Sequence, residues 1–455
     1  MAEYTWLHIG VGNFHRAHQA AYFNELKKLD LADTWHLVGG NLRNDSEATI
    51  EGLIAQKGRY TLETVTPKGE RHYEEISSIE RAIPWEEGLA PLIDLGAEDS
   101  TKVLAFTVTE AGYYFDNDGR LLLEDPAIKA DLGGAVNTIY GLITKILEKR
   151  RETGANVTIV SCDNVRHNTE IFRNCLTDFL KAAGKEDLIE WMGAHTRTPM
   201  TMVDRITPRP TPDVAERVHE ATGVEDRIPV MSESFIQWVI EDDFMDGCRP
   251  ELEKVGAELV ESVIPYEEAK IRILNAPHAG ISWAGTLLGE LFIHESVAIP
   301  AVRSLVYDYV TEDVIPSLRA DVLDFAAYRD VVLERFSNPY IKDTNQRVSA
   351  DGFSKIPAQI MPTVRDCIGR GHTPAATMKV IAVFYRFMEA WAAGKLPFDY
   401  FDGVMDPEVT RELFAGADPV AAFFSDTALF GSYAGKPEFL ALATEALAAA
   451  DELLS

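Results

Sequence analysis

Gly10 and Gly12 stand directly behind the apolar run WLHI and directly ahead of a helical pattern that begins near Phe14. A strand, a Gly-x-Gly and then a helix is the order of the first βα turn of a doubly wound sheet. Glycine there lets the backbone turn tightly and lets a pyrophosphate approach the helix N-terminus, whose free N–H groups and partial positive charge bind anions. The third glycine of the usual GxGxxG is absent, because His15 stands in its place. A plain structural turn would use the same two glycines, so the rest of the pattern has to decide. The runs WHLVGGN, KVLAFTV and NVTIVSC repeat the near-continuous apolar character of TWLHIGV, as strands buried on both faces do, and helical segments such as NTIYGLITKILEKR separate them. YTLETVTPKGERHYEEISSI alternates more strictly and carries Pro67 and Gly69, which predicts an antiparallel hairpin at the margin of that sheet.

From about Pro265 the texture changes to long amphipathic patterns such as SLVYDYVTEDVIPSL and PEFLALATEALAAADELL. The chain therefore reads as α/β. A Rossmann-like dinucleotide-binding domain with a mostly parallel sheet spans 1–264, and a mainly α-helical substrate-binding and catalytic domain spans 265–455.

Charge narrows the partners. With 43 basic against 72 acidic residues the net charge is −29, which repels phosphate backbones and anionic lipid, so neither nucleic acid nor a membrane is expected as a partner. Two cofactor phosphates then need local groups, and Arg16 is the nearest cation to the glycine turn. The opening MAEYTWLHIG lacks the basic and apolar regions of a signal peptide, and no stretch approaches the roughly 20 apolar residues of a membrane span. Cys162, Cys175, Cys248 and Cys367 form no zinc or disulfide spacing, which fits a reducing cytosol and predicts no metal site. After the second strand, Asp45 in GGNLRND is the candidate acid for the adenosine ribose, favouring NAD. Arg43 beside it would instead suit a 2′-phosphate, and Asp45 is equally placed to cap the helix that starts at SEATIEGL.

The segment PYEEAKIRILNAPHAGISWAG carries the chemistry. At about 100° per residue, Lys270, Asn275 and His278 project near 0°, 140° and 80°, with Glu267 near 60° and Arg272 turned away near 200°. Pro277 removes a backbone hydrogen bond and predicts a kink. Oxidising an alcohol needs a group to accept the hydroxyl proton and donors to hold the oxygen as charge develops, for which a lysine of lowered pKa and amide N–H groups are suited. On spacing alone, a solvated Glu267–Lys270 pair and a satisfied core histidine fit as well.

Six segments, HIGVGNFHRAHQ, TVTEAGYY, SCDNVRHN, TMVDRITP, KIRILNAPHAG and NQRVSADGFSKIP, resemble in this order the polyol-specific long-chain dehydrogenases, the mannitol dehydrogenase family. The resemblance covers almost the whole chain and implies metal-independent, NAD-dependent oxidation of a sugar alcohol to a ketose. SVIPYEEAKIRILNA and VVLERFSNPYIKDTNQRV point within the family to D-arabinitol and D-xylulose, with D-mannitol and D-fructose the nearest alternative. It implies Lys270 as general base, Asn164 and Asn275 as the amides on the reacting oxygen, His278 as orienting group and Glu267 as proton relay. Asp204, Arg347 and Lys355 are implied as substrate-binding residues, and Gly10, Gly12, Phe14, His15, Arg16, Asp45 and Glu110 as cofactor-binding ones. TEAGY departs from the family's TEGGY at Ala111, which bears on the local backbone. A small-molecule polyol or ketose is the partner, and the protein is expected as a monomer or small homo-oligomer. Two other readings remain: a sugar-acid oxidoreductase, with Arg347 and Lys355 clamping a carboxylate, and a catalytically silent binding protein of the same fold.

Overall fold

The computed structural model describes residues 3–31, 33–116, 119–318 and 322–455. Its backbone contacts divide the chain into two units, one of Met1–Thr66 with Glu70–Ile264 and one of Pro67–Gly69 with Pro265–Ser455.

The strands all fall in the first unit: β1 (Tyr4–Ile9), β2 (Trp35–Gly40), β3 (Tyr60–Val65), β4 (Arg71–Ile76), β5 (Ile79–Ala82), β6 (Thr101–Phe106), β7 (Val157–Ser161), β8 (Thr196–Arg197), β9 (Thr201–Asp204), β10 (Val230–Glu233), β11 (Gln237–Glu241) and β12 (Glu258–Val260). Six of them form a parallel sheet in the order β5-β2-β1-β6-β7-β8, with Tyr4 opposite Trp35 and Ile9 opposite Gly40 in its β1/β2 ladder. Alternate residues of a strand face opposite sides. Leu7, Ile9, Leu104, Phe106 and Ile159 accordingly join one apolar cluster, and Trp6, Leu37, Val103, Ala105 and Val160 join another. These two buried faces explain why the strands read as unbroken apolar runs, and the Rossmann-like expectation is borne out.

Residues 60–76 do pair antiparallel, Tyr60 opposite Ile76 and Val65 opposite Arg71. They lie in a separate sheet, β10-β3-β4, because β5 already occupies the edge beside β2. A third sheet, β12-β11-β9, completes the unit.

The second unit is helical. Its core gathers Trp283, Val306, Tyr309, Ile360, Val380, Phe384 and Leu447 from helices spread along the whole segment. Three of these helices contain a turn wound with i→i+5 bonds: Ile271–Asn275, Tyr309–Val314 and Ile356–Ile360. The first packs against both of the others. No described helix is long and apolar enough to cross a membrane.

The glycine turn is fixed by close approach. Gly10 has φ +100°, and a Cβ there would fall 2.0 Å from the Thr107 carbonyl oxygen, whereas Gly12 has φ −83° and nothing within 4 Å of such an atom. Gly10→Ala is therefore expected to cost roughly 3 kcal/mol or to prevent folding, while Gly12→Ala changes stability by less than about 1 kcal/mol. Chemical unfolding of the two variants measures the contrast, and equal stability would contradict it.

Candidate active site

The end of β1 sets the dinucleotide loop. Gly10 N–H donates to the Gly40 carbonyl at 2.8 Å and Val11 N–H to Asn41 Oδ1 at 2.8 Å, so the loop is pinned to the end of β2 while Gly12 stays exposed. The helix that follows is interrupted at His18, giving Asn13–Ala17 and Gln19–Lys28. Phe14, half-buried, stacks on His18, and His15, fully buried, stacks on His8 at 3.6 Å. Burial, joined by the Arg16 charge, pushes His15 down to about 3, so the ring is neutral near pH 7.

The sequence puts Arg16 at the phosphates, but the structure turns it inward. Arg16 is buried, its guanidinium donates to the Ile228 carbonyl and to Asn13 Oδ1, and it lies 5.3 Å from the Tyr60 ring centroid. The charge is met by protein acceptors and an aromatic face instead of by solvent. Asp45 is not a helix cap either: Ser46 holds that position for Glu47–Ala55, and Asp45 remains an exposed carboxylate in the short turn Asn44–Ser46. Arg43 donates to the Tyr114 hydroxyl at 2.8 Å.

Beyond β6 the chain enters TEAGY through Thr109, a β-branched residue at φ +64°, a conformation such residues avoid. Asp163, which sequence reasoning passed over, holds it there. Its carboxylate accepts from Val108 N–H at 3.0 Å and Thr109 N–H at 2.8 Å, and from the Tyr113 hydroxyl at 3.2 Å. Glu110 then opens the turn Glu110–Tyr113 as an exposed side chain, and Ala111 is accommodated there, also exposed. Asn164 follows Asp163 directly and is exposed, and Asp204 closes β9 as a buried carboxylic residue opposite Gln237.

In the second unit the helix Ile264–Lys270 runs through the wide turn Ile271–Asn275 into Ala276–Leu287. The angles expected for an ideal α-helix therefore do not hold. Residues five apart share a face where bonds run i→i+5, which puts Asn275 above Lys270 instead of some 140° round from it. Pro277 sits just beyond, where it has no N–H to give to the carbonyl four residues back, and the widened turn with the proline accounts for the predicted break. Glu267 and Lys270 are buried. Asn275 is half-buried, and its Oδ1 is enclosed without a hydrogen-bond partner. Arg272, turned away from that face in the sequence reading, is a buried structural residue ion-paired to Glu268 at 2.9 Å and Asp366 at 2.7 Å.

His278 stacks on Phe336 with centroids 4.6 Å apart and places Nε2 3.3 Å from Asp343 Oδ2. The same carboxylate receives Arg347 through two bonds, Nε to Oδ1 at 2.7 Å and Nη2 to Oδ2 at 2.5 Å. Burial alone would raise Asp343, but its bonds with His278 and Arg347 hold it well below the usual carboxylate range. Burial also lowers His278, against the pull of Asp343 and with the help of the Arg347 and Lys355 charges. Lys355 donates from Nζ to the Val348 carbonyl at 2.7 Å and, like Lys270, immediately precedes a widened turn. His278 and Arg347 are thus brought together on Asp343, with the Lys355 charge near enough to act on His278, and the only sequence signal of Asp343 was its place four positions before Arg347.

Residues 5–254 match the mannitol dehydrogenase Rossmann domain and residues 262–451 the mannitol dehydrogenase C-terminal domain. The chain belongs to the mannitol dehydrogenase family. It is 54% identical over 455 residues to a D-arabinitol 4-dehydrogenase of Klebsiella pneumoniae, covering 100% of this chain and 99% of that protein. A D-arabinitol 4-dehydrogenase of Ralstonia nicotianae is 54% identical over 432 residues, covering 94% and 93%. Among solved structures, the Pseudomonas fluorescens mannitol 2-dehydrogenase ternary complex with NAD and D-mannitol superposes with a TM-score of 0.84 at 31% identity, covering 100% of this chain and 94% of that one. The protein is an oxidoreductase of this family.

Asp163 supplies a pH test of how the TEAGY loop is held. Burial, only partly offset by the two backbone N–H groups and Tyr113, raises its carboxyl to about 6 from the ordinary 3.8. The folded chain then holds the proton more tightly than the unfolded one, so this group's contribution to stability is lost as pH rises from about 4 to 6. Relative to Asp163→Asn, the wild type is expected to lose roughly 3 kcal/mol of unfolding free energy across that window. Urea titrations at several pH values measure it, and a pH-independent difference would contradict the burial argument.

Proposed function

We propose that this protein oxidises D-arabinitol at C4 to D-xylulose with NAD, without a metal ion. The observation that carries the chemistry is the lysine at the head of the widened turn: Lys270 is buried, with the enclosed, unpartnered amide oxygen of Asn275 one i→i+5 step away. An enclosed acceptor without a protein partner is costly unless a ligand donor, here a substrate hydroxyl, completes it, which leaves the N–H side of the same amide for the reacting oxygen. The substrate assignment is supported by the two full-length relatives named D-arabinitol 4-dehydrogenase. Mannitol 2-dehydrogenases, 35% identical in Cereibacter sphaeroides, make D-mannitol the second substrate to try.

The glycine turn fits a dinucleotide. The open face beside Gly12 leaves room for pyrophosphate against the loop N–H groups, and the exposed Asp45 suits the ribose hydroxyls. Phe14 and His15 shape that loop, and Glu110 borders the nicotinamide. When bound, NAD takes up the hydride from the carbinol carbon.

The protein's own residues handle the proton and the oxygen. Lys270 accepts the hydroxyl proton, and Glu267, three residues earlier, passes it to water. The amide N–H groups of Asn164 and Asn275 hold the oxygen as negative charge grows on it. His278, Asp204, Arg347 and Lys355 bind the remaining hydroxyls. The balance is alditol plus NAD+ giving ketose, NADH and one proton. The spacing of the four cysteines supports a reducing cytosol as the setting of this reaction.

Lys270→Met is expected to lower turnover of D-arabinitol at least about a thousandfold while NADH binding, followed by nicotinamide fluorescence, changes little. Unchanged turnover would exclude Lys270 as the base. In a panel of pentitols and hexitols, D-arabinitol is expected to give the highest kcat/KM, and a clear preference for D-mannitol would overturn the substrate.

A further inference from the structure

A cluster holding an arginine and a lysine beside a histidine is, on charge alone, suited to a carboxylate, and a sugar acid would fit it as well as a neutral alditol. The contacts of Asp343 argue against a carboxylate there. The Arg347 guanidinium, with its side chain 66% exposed and open to a ligand, has spent two donors on Asp343. Asp343 itself is enclosed, its side chain 10% exposed, and the same carboxylate faces Nε2 of a ring that is 14% exposed and clamped on Phe336. An ionised carboxylate accepts only, so the approach of Asp343 Oδ2 to 3.3 Å favours the tautomer with its proton on Nε2, by charge and not by an aligned hydrogen bond, and leaves the acceptor lone pair on Nδ1.

We propose that Asp343 is the residue that sets charge selectivity in this site: it cancels the Arg347 charge and fixes the His278 tautomer, so that the cluster recognises neutral hydroxyl groups and rejects a terminal carboxylate. Arg347 then offers a ligand its remaining N–H donors with little net charge behind them, and His278 Nδ1 accepts from a hydroxyl, which a carboxylate cannot supply. Asp343 acts through its two neighbours and is a positioning residue. This inference rests on the polyol reading for its natural substrate, but its charge argument concerns the cluster itself.

The test compares D-arabinitol with D-arabinonate, which carries a carboxylate on the same five-carbon frame. In the wild type, D-arabinonate is expected to inhibit at concentrations at least about tenfold above the KM for D-arabinitol. Asp343→Asn should tighten that inhibition roughly tenfold and raise the alditol KM more than it lowers kcat, since a charge-assisted hydrogen bond is worth about this much. Asp343→Glu, which keeps the charge, should restore discrimination, and adding Arg347→Met to Asp343→Asn should abolish the gain for the acid. An Asp343→Asn protein that is folded by circular dichroism and discriminates like the wild type would overturn the proposal. If that variant does not fold, the wild type and Asp343→Glu decide: D-arabinonate competing as tightly as D-arabinitol in either one overturns it equally. A wild type that turns over no alditol would defeat the functional reading instead, and calorimetric binding of D-arabinonate to wild type and variant would still decide the charge argument.

Discussion

The widened turn Ile271–Asn275 is the constraint on which the site depends. An i→i+5 turn is a poor helix in isolation, and such turns occur mainly as single insertions at functional sites. Here the turn is held from both sides, packing against the equally widened Tyr309–Val314 and Ile356–Ile360 within a dense apolar core. Ile273 and Leu274 anchor it inward, and Arg272 is tied down by Glu268 and Asp366. With the backbone so fixed, Lys270 and Asn275 share one face of the turn, and Lys355 leads into another of the three turns. The lysines implied in catalysis and substrate binding both sit where the helix changes its winding.

Two enclosed carboxylates, one in each unit, hold their own neighbours in place. Asp163 stabilises the strained entry at Thr109 and so presents Glu110, and Asp343 gathers His278 and Arg347. Each converts flexible neighbours into fixed ones, which is how an active site acquires geometry before its ligands arrive. A third acid works similarly on the scaffold: Asp313 accepts from the Thr377 N–H and hydroxyl, each at 2.7 Å, and faces His372 at 3.0 Å, tying the second widened turn to the helix Ala375–Ala392.

Much of this was legible in the amino acids. Strands buried on both faces must be apolar throughout, and β1, β2, β6 and β7 read that way, so the parallel sheet and the helical second half follow from pattern alone. The separate sheet of β3 and β4 was not legible, because its partner β10 lies far along the chain and alternation says nothing about which edge a hairpin joins. Angles from Lys270 to Asn275 failed because a periodicity argument presumes uniform winding, and only Pro277 hinted otherwise. Asp163 stayed hidden because Val108 lies 55 positions away from it, and Asp343 because its His278 partner is equally remote while the Arg347 pair four positions on looks like an ordinary helix ion pair. The burial of Arg16 against Tyr60 and the Ile228 carbonyl was not legible either, because a cation near a glycine turn suggests phosphate and its partners lie far along the chain.

The most direct measurement is a crystal structure of the protein with NAD and D-arabinitol bound together. Lys270 Nζ and the Asn275 amide nitrogen are predicted to lie within roughly 3 Å of one and the same carbinol oxygen, that on C4. An alditol held by other residues, with that amine out of reach of the C4 oxygen even through a water molecule, would contradict the account.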